Sequence, residues 1–78
     1  MELSIENLKK LLSQISSVGN RALDFKENES FDVQGVDSLD LLDYLLVIEE
    51  TYGVEIPDED LDQVSNLNDL IKYIKDRV

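Results

Sequence analysis

One stretch of the 78 residues offers chemistry: Gly35-Val36-Asp37-Ser38-Leu39-Asp40 puts a hydroxyl at the junction of a glycine-containing loop and a helical segment. A serine in that place can also be a plain helix cap, whose oxygen does no more than accept a backbone N–H. Gly35 lets the loop turn tightly before the hydroxyl, and Asp37 and Asp40 flank it. Few other groups compete for a chemical role. The chain has neither Cys nor His, which removes disulfides, thiolate nucleophiles, imidazole or thiolate metal sites and the commonest general base. No nucleophile-base pair can be assembled, so the chain is not expected to be an enzyme. The acidic run Asp58-Glu59-Asp60-Leu61-Asp62 lacks the glycine at the sixth position and the glutamate at the twelfth that a calcium loop uses, and no metal site is expected.

The elements that must position Ser38 follow from apolar spacing. Leu8, Leu11, Leu12, Ile15 and Val18 recur three and four apart, with Ser4 as a cap, and predict a first helix from about residue 5 to about residue 18. Gly19-Asn20 stops that pattern. Residues 19 to 37 then read as a long loop in which Phe25 and Phe31 are the apolar pins, and loops of that length in compact domains tend to be functional. From Ser38 to Tyr52 there is neither Gly nor Pro, which predicts the second helix.

At about 100° per residue, Leu41, Leu45, Ile48 and Tyr52 form its core stripe. Asp40, Asp43, Val47 and Glu50 share the opposite side. Leu39, Leu42 and Leu46 lie between the two as a second apolar strip, wider than one core contact requires. Like charges three residues apart weaken a helix slightly, so the acidic side gains a reason if a basic partner docks on it. The bland reading, a solvated face with the leucines covered by the long loop, stands beside it.

Gly53 ends this helix, Val54-Glu55-Ile56 is extended before proline, and Pro57 with Asp58, Glu59 and Asp60 opens a short helix of a turn or two. Asn66 caps the last helix, whose stripe is Leu67, Leu70, Ile71, Ile74 and Val78. The tyrosines are expected as core or edge aromatics with solvated hydroxyls. The fold class is all-α: a small antiparallel bundle of three main helices plus one short helix, with a long loop between the first and second helices. Residues 1 to 78 are expected to form one domain.

Composition narrows the partners. Lys and Arg number 7 against 18 Asp and Glu, for a formal charge of −11. Such a chain repels nucleic-acid phosphates and anionic membranes, and a basic protein surface is its complement. With 42% apolar residues in a helical period it can bury a core instead of remaining disordered. No apolar run reaches bilayer length, and Met1-Glu2-Leu3-Ser4 lacks the basic start of a secretion signal, so a cytoplasmic monomer without membrane insertion is expected.

Taken in order, Gly-x-Asp-Ser-Leu-Asp at residues 35 to 40, Glu49-Glu50-Thr51-Tyr52, Glu55-Ile56-Pro57-Asp58-Glu59 and Tyr73-Ile74 give a sequence that resembles the acyl carrier protein family. The resemblance runs without a gap from residue 35 to residue 74. It implies that Ser38 takes 4′-phosphopantetheine from coenzyme A through a phosphodiester made by a separate magnesium-dependent phosphopantetheinyl transferase. The terminal thiol of that arm then holds an acyl group as a thioester for fatty-acid, polyketide or related synthesis. Gly35 and Asp37 belong to the attachment site by the same resemblance. Leu39, Asp40, Leu42, Asp43, Leu46, Val47 and Glu50 would meet the transferase and the synthase enzymes, through basic docking surfaces on those partners. A helix N-terminus suits a phosphate ester, by its free N–H groups and partial positive charge.

A D-alanyl or peptidyl carrier, and an unmodified acidic adaptor, are the alternatives. Asp37 favours carriers of acyl groups over peptidyl carriers. Two positions depart from the family: Gln34 stands where many relatives have an apolar residue, which leaves the packing of the loop open, and Leu41 stands where a smaller or polar residue is usual.

Overall fold

The computed structural model describes all residues from Met1 to Val78 and contains helices and turns without strands. Three α-helices are formed, α1 (Ile5–Leu12), α2 (Ser38–Tyr52) and α3 (Leu67–Lys75). Two 3-10 helices lie between them, Gly19–Asp24 in the long loop and Asp58–Val64 before α3.

Each α-helix starts where a side-chain oxygen can replace the missing acceptor for a first-turn N–H. Ser4 accepts from Asn7 at 3.1 Å, Asp37 from Asp40 at 2.9 Å and Asn66 from Asp69 at 2.7 Å. Gly53 closes α2 with φ +67°, in the left-handed region where a glycine has no Cβ to clash.

The first helix is shorter than its apolar spacing predicts. Beyond Leu12 the chain winds more tightly, with Gln14, Ile15 and Val18 donating to carbonyls three residues back. Serines crowd this segment, and serine hydroxyls compete for backbone groups. Ser13 Oγ donates to the Lys10 carbonyl at 2.6 Å. The tighter turns still deliver Val18 to the interior. At the other end α3 stops at Lys75, and Val78 is exposed instead of completing the stripe. Pro57 precedes the short helix as its cap instead of lying in its first turn.

The interior is entirely apolar apart from aromatic hydroxyls. Leu8, Leu12, Ile48, Leu67, Leu70 and Ile74 are fully enclosed around Tyr44 and Phe31, whose rings meet edge to face at 5.8 Å. Phe25 and Phe31 do pin the loop to this core. Tyr44, not assigned to the core stripe of the second helix, lies at its centre, whereas Leu41 and Tyr52 are half-buried at its margin.

The tyrosine hydroxyls are bonded within the protein. Tyr44 donates to the Leu8 carbonyl at 2.8 Å and Tyr52 to the Glu2 carbonyl at 3.1 Å. Near the other end of the pair, Ser17 Oγ donates to Asp40 at 2.5 Å. The start of α2 therefore lies beside the chain leaving α1, and its end beside the chain entering α1, so the two run antiparallel. On the far side Tyr73 of α3 donates to Asp60 at 2.6 Å, and the Arg77 guanidinium rests 3.4 Å from the Tyr73 ring centre. This clasp joins the second 3-10 helix to α3.

Candidate functional site

Ser38 is the first residue of α2 and is exposed. The cap that it was a candidate to supply is supplied by Asp37 instead, so the plain-cap reading of Ser38 does not hold. Its Oγ has no hydrogen-bond partner in the protein, and the N–H groups of Ser38 and Leu39 have no acceptor there. A phosphodiester on Ser38 would therefore have a free hydroxyl to grow from and unpaired donors beside it. The aspartate's choice of cap is what leaves the serine available.

The segment leading into this helix is held from several sides. Val36 is buried and its N–H reaches the Phe31 carbonyl at 2.9 Å. Gly35 takes φ +90°, a conformation that strains residues with a Cβ, and the Arg21 guanidinium stands 3.5 Å from where that Cβ would be. Arg21 donates to the carbonyls of Gln34 at 3.0 Å and Ser17 at 3.3 Å, and lies over the Phe25 ring at 5.8 Å. Ser17, Arg21 and Gln34 were not among the candidate site residues. Gln34 was visible as a departure from the family pattern. Ser17 and Arg21 carry no local signal, because they reach the site only through the folded loop.

Beyond Ser38, Leu39, Leu42 and Leu46 are 73%, 41% and 56% exposed, so the loop does not cover them. They form an open apolar strip along the outer flank of α2. Asp43 and Glu50 are exposed beside it, whereas Asp40 is partly covered and bonded to Ser17. Val47, which helical phase puts with these acids, is half-buried and packs against the core. Glu49 is committed elsewhere: its carboxylate accepts the Ile56 N–H at 2.7 Å and ties the extended segment to α2.

The family pattern described as the phosphopantetheine attachment site matches residues 6–74. The chain belongs to the acyl carrier protein family. An acyl carrier protein of Clostridium acetobutylicum is 35% identical over 71 residues, 90% of each chain. Acyl carrier proteins of Helicobacter pylori (strain G27) and Helicobacter acinonychis are 48% and 45% identical over 42 residues, 54% of each chain. The match thus spans about half the length of the Helicobacter relatives. Acyl carrier proteins are carriers and generally non-catalytic, and the cofactor of this domain is 4′-phosphopantetheine. No helix is long and apolar enough to cross a membrane.

Proposed function

We propose that Ser38 is the attachment residue and that the chain carries acyl groups as thioesters on the arm, as one domain, a monomer acting in the cytoplasm. The observation that carries this reading is the free Ser38 hydroxyl at the first position of α2, released from capping by Asp37. In the attachment step the Ser38 oxygen bonds to the phosphorus that bears the pantetheine of coenzyme A. The bond to the nucleotide breaks, adenosine 3′,5′-bisphosphate leaves, and the hydroxyl proton passes to a base of the transferase. The attached arm supplies a terminal thiol, which this chain lacks.

Asp37 fixes the first turn, and Gly35 allows the backbone to bend away from the hydroxyl. On the outer flank of α2, Leu39, Leu42 and Leu46 supply an apolar contact for partner enzymes. Asp43 and Glu50, with Asp40 at the near end, draw in a basic partner surface. Val47 supports that flank from beneath. The acyl groups are those of fatty-acid, polyketide or related synthesis.

Incubation with coenzyme A, magnesium and a broad-specificity phosphopantetheinyl transferase should add one phosphopantetheine group. Tandem mass spectrometry should find it on Ser38, and Ser38→Ala should block it with helical circular dichroism unchanged. An adduct that persists on the Ser38→Ala protein would reject the assignment.

A further inference from the structure

The loop before Ser38 depends on one side chain. Every polar atom of Gln34 is engaged. Its N–H reaches the carbonyls of Ser30 and Phe31 at 3.2 and 3.1 Å, and its own carbonyl accepts from Arg21. Its side-chain Oε1 accepts the Lys26 N–H at 2.8 Å, and Nε2 donates to the carbonyls of Lys26 and Glu29 at 3.0 and 2.9 Å. That pattern needs a group that both accepts and donates, and only the amide in this orientation provides it. An apolar side chain leaves three backbone groups to solvent and frees the loop, and a carboxylate turns two of the bonds into oxygen facing oxygen.

The anchored residue is separated from Ser38 by Gly35, Val36 and Asp37. Gly35 is set by its positive φ, Val36 is buried, and Asp37 is bonded to Asp40. The chain from Gln34 to Ser38 therefore has little freedom once Gln34 is fixed. Arg21 shares the anchor, because it binds the Gln34 carbonyl while it holds the tight turns beyond α1 through the Ser17 carbonyl. Ser17 in turn donates to Asp40, inside the first turn of α2.

We propose that Gln34 is a positioning residue for the modification of Ser38: its amide locks the loop so that the serine oxygen meets the transferase in one orientation. The inference rests on the reading of Ser38 as the attachment residue. A hydroxyl misplaced by about an ångström can cost up to a hundredfold in rate, so the loss here should show in kcat.

The test compares wild type, Gln34→Leu, Gln34→Glu, Ser38→Ala and the core variant Ile74→Val. Modification by the transferase is followed by intact mass with saturating coenzyme A, at a temperature where every variant is folded by circular dichroism. Both Gln34 variants should lose kcat by about tenfold, with KM for the carrier changing less. The amides of Lys26 and Val36 should exchange hydrogen faster in both. Ile74→Val, which lowers the melting temperature from inside the core, should keep the wild-type kcat. Wild-type kcat in the folded Gln34 variants, with Ser38→Ala inert, would overturn the positioning role and leave the attachment site standing. An equal loss of kcat in Ile74→Val would reduce Gln34 to a stability effect and also overturn it. An adduct on Ser38→Ala would reject the attachment residue itself, and the positioning role with it.

Discussion

Helices α2 and α3 differ in what they do with their apolar residues. In α3, Leu67, Leu70, Tyr73 and Ile74 are buried and Ile71 is half-buried. In α2, Tyr44, Leu45 and Ile48 are buried, but Leu39, Leu42 and Leu46 face solvent. Folding accounts for α3 completely, since its stripe points one way and is used up by the core. The same account fails for the outer leucines of α2, which are not part of the core and lie along the flank that begins at Ser38, with exposed acids alongside. Exposed apolar side chains in a row, rimmed by charge, are what a docking surface needs.

The charge distribution sharpens the contrast. From Glu27 to Ile71 the chain has no Lys or Arg, whereas α3 carries Lys72 and Lys75 in its last turn, where they complement the negative end of the helix. The acids of α2 thus have no cation on their own helix or on the chain from Glu27 to Ile71 around it. A partner's basic residues would meet little competition there.

The largest effect that would break this comparison is on stability. Leu70→Ala in α3 should cost about 2–5 kcal/mol, a large share of the total for a domain of this size. Leu46→Ala in α2 should change stability by no more than about 0.5 kcal/mol. Urea unfolding of both variants measures the difference, and equal losses would mean that Leu46 is covered after all. In binding the order should reverse. Leu46→Ala should speed dissociation of the transferase, and Leu70→Ala, where it remains folded, should not.

A second test probes the buried side of α2. Burial, with a smaller contribution from Tyr52, pushes the Tyr44 hydroxyl far above the ordinary tyrosine range. The unfolded chain releases this proton at about pH 10 while the folded chain keeps it. Above that pH the unfolded state binds fewer protons than the folded one, so this one group should lower stability by up to about 1.4 kcal/mol per pH unit. Tyr44→Phe should flatten the decline. It should not abolish it, because burial also raises Tyr52 and raises Tyr73, the latter aided by its hydrogen bond to Asp60 and opposed by Arg77. Unfolding curves from about pH 9 to about pH 11 would show the change in slope.

The smallest expected effect is electrostatic. Asp43→Lys or Glu50→Lys should lower the association rate with a partner enzyme and weaken its dependence on salt, while dissociation changes little. The matched control is Asp76→Lys beyond α3, which should leave association nearly unchanged. Stopped-flow fluorescence at several ionic strengths separates the two. A slower association from the Asp76 variant alone would place docking on the opposite side of the molecule.

Much of this fold was legible in local pattern. The starts of all three α-helices, the glycine stop at Gly53 and the anchoring of Phe25 and Phe31 follow from caps, periodicity and turn chemistry, which act over a few residues. The serine-rich end of the first helix was not legible: the apolar spacing of Ile15 and Val18 is the same for an α-helix and for the tighter turns that formed. Helical phase also left Tyr44 out of the core stripe, because the phase of one helix does not reveal that a phenol can reach the Leu8 carbonyl of another.

By itself, the sequence determined the family motif around Ser38, the acidic and apolar sides of α2 and the absence of the groups that most catalysis requires, since these depend only on residue identity and spacing. Tertiary structure alone decided whether the outer leucines are covered and which residues hold the loop. Those outcomes depend on competition among partners far apart in the chain. Gln34 found its partners at Lys26 and Glu29 only when the loop closed on Phe31.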